Sequence, residues 1–176
     1  MTKETNEFVV REKIITTTIN ILLTKKYNDV TVKEIIYSSQ VSRSSFYRYF
    51  KSLNDIIEYT AKKLNTLFFN INTKNELQKD FTLKLFKFVT RYKSFYYCLY
   101  LNDLLHLSTK YALSFINKND DKKDIRLQKS IFIHFIYALL EEWFKDGCKE
   151  TPEEMQDYIN NNKNIFLSFF DNHLTF

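Results

Sequence analysis

One glycine, Gly147, and one proline, Pro152, stand in a chain of 176 residues. Tight β-hairpin turns and phosphate-cradling loops need the free φ of glycine, and stiff linkers need the preset φ of proline, so this chain has almost nothing to build them from. Helices joined by short polar turns are what remains, and the fold class that follows is all-α. Seventeen Phe and twelve Tyr supply enough large apolar area for a filled core and for an interface besides. The length suits one compact domain or a small domain fused to a larger one. A formal net charge of +5 is compatible with a nucleic-acid partner, so the placement of the positive charge matters more than its sum.

Apolar residues at Ile15, Ile19, Leu22 and Leu23 recur with helical spacing between Phe8 and Tyr27, which predicts a first amphipathic helix. Thr31 followed by Glu34 has the spacing of a capping box, with Val30 and Ile35 as a hydrophobic staple, and starts a second helix over 32–39. Ser42 caps a third over 43–50, stapled by Val41 and Phe46. Ser52, three before Asp55, opens a fourth whose stripe is Leu53, Ile57, Ala61, Leu64 and Phe68. Helical patterns follow at about 76–92, 95–101 and 103–116, and "NKNDDKK" at 117–123 reads as an exposed loop. Residues 131–144 are apolar almost all round, so that helix needs cover from its own core and from another subunit. Gly147 ends it, and Thr151, Pro152 and Glu154 start a last helix with an aromatic stripe.

The stretch "VSRSSFYRYF", 41–50, holds two arginines, three serines and two tyrosines without one acid. With the helix before it, it makes a helix-turn-helix unit. Phe46 and Phe50 can face inward, leaving Arg43, Ser44, Tyr47 and Arg48 on the opposite face. Arg43 sits in the first turn, where a guanidinium can pair bidentately with guanine. Ser44 and Ser45 are short enough to let the helix approach a groove closely. Tyr47, Arg48, Tyr49 and Lys51 can donate to phosphates, and the helix starts at Thr31 and Ser42 can present N–H groups to them. The bland alternative for the same residues is an ordinary helix with a solvated basic face.

Residues 29–57, "DVTVKEIIYSSQVSRSSFYRYFKSLNDII", resemble the DNA-binding segment of TetR-family transcriptional regulators at Thr31, Val32, Ile35, Val41, Ser42, Tyr47, Tyr49 and Phe50. The resemblance implies a three-helix DNA-binding domain over 1–52 and a helical effector-binding and dimerisation domain over 53–176. It further implies a homodimer that binds a pseudo-palindromic double-stranded operator and answers to a small-molecule effector, with the last two helices forming the dimer bundle. "EEWFKDGCKETPEEM", 141–155, also resembles the end of a C-terminal domain found in some TetR-type proteins, including those related to dihydroxyacetone-kinase regulators. Three positions depart from the family pattern. Gln40 replaces its turn glycine and must bear a left-handed or strained conformation if the turn is kept, Ile36 replaces a small alanine, and Leu53 replaces a phosphate-binding lysine. Gln40 and Leu53 keep a second reading open, a protein of the same fold that works through a protein partner.

For an effector pocket the candidates are Phe95, Tyr96 and Tyr100 in the cluster "FYYCLY", with His106, His134 and Tyr137, although histidines and aromatics in such settings are more often core residues than ligand contacts. Ile165, Phe166, Phe169 and Phe170 are candidates for the dimer interface, and Trp143 for an interface or core anchor. Cys98 and Cys148 have no neighbouring metal-ligand partners and read as reduced thiols; no metal or cofactor is called for. No catalytic motif stands out, which argues against an enzyme. The longest apolar run, 131–140, is about half a membrane span, so the expectation is a cytoplasmic protein that does not enter a membrane.

Overall fold

The structure, a computed structural model, describes the backbone of residues 3–71, 74–116 and 122–171, and the side chains of 7–71, 81–114 and 122–162. Every regular element among them is helical. The order is α1 (Lys3–Leu22), α2 (Val32–Ser39), α3 (Arg43–Tyr49), α4 (Leu53–Ile71), α5 (Lys74–Arg91), α6 (Lys93–Leu101), α7 (Leu105–Ile116), α8 (Lys123–Lys145) and α9 (Pro152–Asp171), with a short 3₁₀ turn at Tyr27–Asp29. Of the stretch expected as a loop, residues 117–121 lie outside the described residues, and α8 begins at Lys123, eight residues before its apolar run.

The first three helices pack as a small unit, with α1 crossing α2 and α3, and α4 leads from it into the remaining helices. The expected α4 stripe is the observed one: Leu53, Ile57, Ala61, Leu64 and Phe68 are all buried. One apolar core runs through both parts. In the larger part it is largely aromatic, with Phe86 edge-on to Trp143 at 5.3 Å and Phe68 in contact with Phe88 at 5.2 Å. Each such ring contributes about 1.5–3 kcal/mol by leaving water.

The scarcity of glycine has a visible cost. Helix ends commonly need a left-handed residue, and among the described residues three that are not glycine take this conformation: Gln40 (φ 51°), Asp103 (φ 58°) and Cys148 (φ 53°). Gly147 (φ 79°) closes α8 as expected, with its own N–H on the Phe144 carbonyl at 3.0 Å and the Cys148 N–H on the Trp143 carbonyl at 2.8 Å. Asp103 closes α6 in the same way. The first helix departs from expectation, since it stops at Leu22 rather than near Tyr27. The cause is far away in sequence: Asn102, at the end of α6, donates to the Leu22 carbonyl at 3.0 Å and accepts from the Tyr27 N–H at 2.7 Å.

Candidate nucleic-acid interface

Local chemistry builds the α2–α3 pair. Thr31 accepts from the Glu34 N–H at 3.2 Å and Ser42 from the Ser45 N–H at 3.0 Å, so each helix starts at its expected cap. Between them Gln40 adopts φ 51° and ψ 38°, and its N–H reaches the Tyr37 carbonyl at 3.1 Å. The tight turn is therefore kept without glycine, at a cost of about 1 kcal/mol.

On α3 the two phenylalanines turn inward: Phe46 is 0% and Phe50 1% exposed. Phe50 has left the helix and is extended, one residue earlier than the sequence suggested. Arg43, Ser44, Tyr47 and Arg48 are exposed together on the other side. The Arg43 guanidinium lies 5.7 Å from the Tyr47 ring, a cation–π contact along one turn of helix. Ser42 Oγ donates to Ser45 Oγ at 2.8 Å and lies 3.0 Å from Ser44 Oγ, so the three hydroxyls form one small cluster at the start of α3.

Tyr49 sits differently from the other candidates. It is half-buried, and the Arg11 guanidinium stands 5.1 Å from its ring and 5.4 Å from that of Tyr59, while donating to the Tyr59 hydroxyl at 3.0 Å. Arg11 thereby ties α1, α3 and α4 at one point. Lys51 is exposed, and its backbone N–H donates to the Asp55 carboxylate at 2.9 Å as part of the α4 cap. Leu53, in the position of the resembled lysine, is only 7% exposed and belongs to the core. Ile36 is half-buried against that core.

Between Thr31 and Lys51 the one acid is Glu34, and Lys25 holds it at 2.8 Å. That hydrogen bond lowers the Glu34 carboxyl below its ordinary pKa. Lys33, Arg43, Arg48 and Lys51 are exposed, and none of them is in an ion pair among the described residues. The face is thus a set of exposed cations outside any described ion pair, on short helices with side-chain caps. Tyr37, 85% exposed on α2 beside this face, went unnoticed in the sequence. Its place on the wheel, two residues from buried Ile35 and Ser39, was the available signal.

The six effector-pocket candidates do not share one space. His106, His134 and Tyr137 line a cleft of about 520 Å³ between α7 and α8, with both imidazoles held through Nδ1 on backbone oxygens, Asp103 at 3.1 Å and Ser130 at 2.8 Å. Tyr100 borders a neighbouring cleft with His106, and Phe95 a third one beside α1. Tyr96 is buried in the interior. There Ser108 Oγ receives Asn65 Nδ2 at 3.0 Å and the Tyr137 hydroxyl at 2.7 Å, and also bonds Tyr96. This polar knot ties α4, α6, α7 and α8 where the sequence invited a ligand.

Trp143 resolves toward the core: it is 4% exposed, and its indole N–H donates to the Glu150 carbonyl at 3.1 Å. It offers no face to a partner. Ile165, Phe166, Phe169 and Phe170 lie outside the residues whose side chains are described. No group of three or more metal-ligating side chains occurs among the described residues.

Comparison with known proteins agrees with this geometry. Residues 14–60 match the family of bacterial regulatory proteins of the tetR type, and residues 75–164, just over half of the chain, match the transcriptional regulator C-terminal region of that group. The negative transcriptional regulator IcaR of the biofilm operon icaADBC, from Staphylococcus aureus, is 23% identical over 90% of this chain and 99% of its own length. A TetR transcriptional regulator from Streptococcus agalactiae superposes with a TM-score of 0.65 at 20% identity, covering 89% of this chain and 94% of that one. A second, from Syntrophomonas wolfei, gives 0.63 at 18% identity over 85% and 90%. The chain belongs to the TetR family of transcriptional regulators.

Proposed function

We propose that the protein is a repressor that binds a pseudo-palindromic operator as a homodimer, each subunit placing α3 in one of two successive major grooves. The observation that carries this reading is the acid-free outer face of α3, with Arg43 exposed in its first turn and the helix fixed by Ser42 and the inward Phe46 and Phe50. Arg43 is the base reader in this scheme, and Ser44 is short enough to let the helix approach the groove closely. Tyr47, Arg48 and Lys51 donate to phosphates and set the register. Tyr49 and Ser45, each committed within the chain, act on the interface through position. Repression as the sign of regulation follows the staphylococcal relative, which is itself a negative regulator.

The division at 52/53 falls at the capped start of α4, and residues 53–176 are the effector-binding and dimerisation part. The exposed apolar residues of α8 support a partner copy there: Leu127 is 58% and Ile131 50% exposed, and on α9 Tyr158 is 53% exposed. No helix among the described residues is long and apolar enough to cross a membrane, which agrees with action in the cytoplasm. The partner-protein reading loses one of its two motives, because Gln40 keeps the turn; Leu53 lies in the core and supplies no phosphate anchor, so the remaining cations of the face must serve.

The test is selection of bound duplexes from a randomised pool, followed by salt titration of the enriched sequence. A two-fold symmetric motif and a steep loss of affinity with salt are the expected result. A pool without enrichment, with binding indifferent to salt, would sink the operator reading.

A further inference from the structure

A half-open cleft of about 410 Å³ lies where α1, α4 and the α5–α6 junction meet. Ile15 and Ile19 of α1, Leu64 and Leu67 of α4, and Phe95 of α6 form its apolar wall. Its charged groups are few and unevenly distributed. Glu12 of α1 and Lys63 of α4 are bonded to each other at 2.6 Å. Arg91, at the end of α5, is exposed, and among the described residues its guanidinium meets the Tyr92 ring at 5.7 Å and no carboxylate. One acid is already neutralised by one cation, and a second cation is left over.

The interior of the larger part has little to offer a ligand, because the Ser108 knot and its aromatic surroundings occupy the middle of it. The junction cleft has both room and a charge preference. Its volume lies within the ordinary range of small-molecule sites, and its wall suits an apolar chain. A free guanidinium takes a carboxylate in two parallel hydrogen bonds, whereas a cationic head would meet like charge at both Arg91 and Lys63.

We infer that this cleft binds an amphipathic monocarboxylate, its chain against Ile15, Ile19, Leu64, Leu67 and Phe95 and its carboxylate between Arg91 and Lys63, and that occupancy loosens α1 from α4. The regulatory half rests on the operator reading above. Its mechanism is competition: a carboxylate at Lys63 takes the place of Glu12, which is the ion-pair link between the first and fourth helices. Because α1 packs on α2 and α3, its displacement reaches the DNA-reading pair. Operator and carboxylate must then weaken each other by the same factor.

The experiment uses the full chain with octanoate, decanoate and dodecanoate below their micelle concentrations, against decanol and decyltrimethylammonium. Calorimetry is expected to show saturable binding of at least one carboxylate, one per chain, and none of the cation. Arg91→Gln and Lys63→Gln should each weaken it about tenfold, the loss of a charge-assisted bond. Thr16→Trp, which fills the cleft from an exposed position, should abolish it while the melting curve stays cooperative. With a selected operator duplex, the bound carboxylate should lower affinity by about fivefold or more, and Arg91→Gln should blunt that response. Absence of saturable binding by all three carboxylates, or binding undiminished by Arg91→Gln and Thr16→Trp, overturns the site. Carboxylate binding without effect on the operator overturns the regulatory half. Failure of the duplex selection with carboxylate binding intact would instead strike the operator reading alone.

Discussion

Arg43 and Arg48 stand five residues apart on one short helix, yet they have different tasks in the proposed interface. Arg43→Ala should lower discrimination between the operator and a mutated operator by about 1–3 kcal/mol, while Arg48→Ala should weaken all duplexes alike. Competition binding with matched and mismatched duplexes separates the two; unchanged sequence preference in Arg43→Ala would remove it as the reader. Burial sets another residue-level expectation. The Cys98 thiol, 0% exposed, is pushed up to about 12, chiefly by desolvation. The unfolded chain gives up this proton near pH 9 while the folded chain keeps it, so stability is intact below pH 9 and falls as pH rises toward 12, by up to about 1.4 kcal/mol per unit. Tyr96 and Tyr137, raised above 10 mainly by the same desolvation, act with the same sign at higher pH. Urea midpoints should therefore drop between pH 8 and 10.5, and Cys98→Ala should flatten the first part of that fall. Phe46, Phe50 and the caps were legible because their signals lie within four residues. Arg11 was not, since its two ring partners are 38 and 48 positions away.

Helix boundaries divide in the same way by the origin of what stops them. Thr31, Ser42 and Thr151 start helices through side chains that bond their own next turn, and each was readable; at α9 Thr151 and Glu154 satisfy each other's N–H groups at 3.2 and 2.7 Å. The end of α1 is set instead by Asn102, whose amide also donates to the Cys98 carbonyl at 2.8 Å. Asn102→Ala leaves the Tyr27 N–H and the Leu22 carbonyl without that partner and should cost about 1–3 kcal/mol. Urea unfolding at unchanged slope measures it, and a loss near zero would mean that water replaces the amide. Gln40→Gly removes a left-handed Cβ and should add about 1 kcal/mol. If the midpoint stays put, the turn was not strained. Which helix faces would share a cleft was not legible, because the periodicity of α6, α7 and α8 marks a buried side without naming the neighbour; hence His106 and His134 line one cleft while Tyr96 goes to the interior.

At the scale of the molecule, α8 carries apolar surface on opposite sides, Ile133, Ile136 and Leu140 within the chain and Leu127 and Ile131 outside it. A charge at Leu127 or Ile131 changes little that is buried in one chain, so its effect should appear in assembly: about tenfold weaker dimerisation or more by sedimentation, with the thermal midpoint of the dissociated chain unchanged. Phe166→Lys or Phe169→Lys is also expected to weaken dimerisation, and a dimer untouched by all four would move the interface elsewhere. The near-continuous hydrophobicity of 131–144 was visible in the sequence, whereas the split of that surface between core and exterior required the neighbours α5, α6 and α7. The Asn102 contact also has a consequence for synthesis. Leu22 leaves the ribosome 80 residues before the amide that caps it, and at about 5–20 residues per second the first helix waits roughly 4–16 s for its own end. A nascent chain halted before α6 is complete already contains all of the DNA-reading helices, but lacks the bond that anchors the first of them.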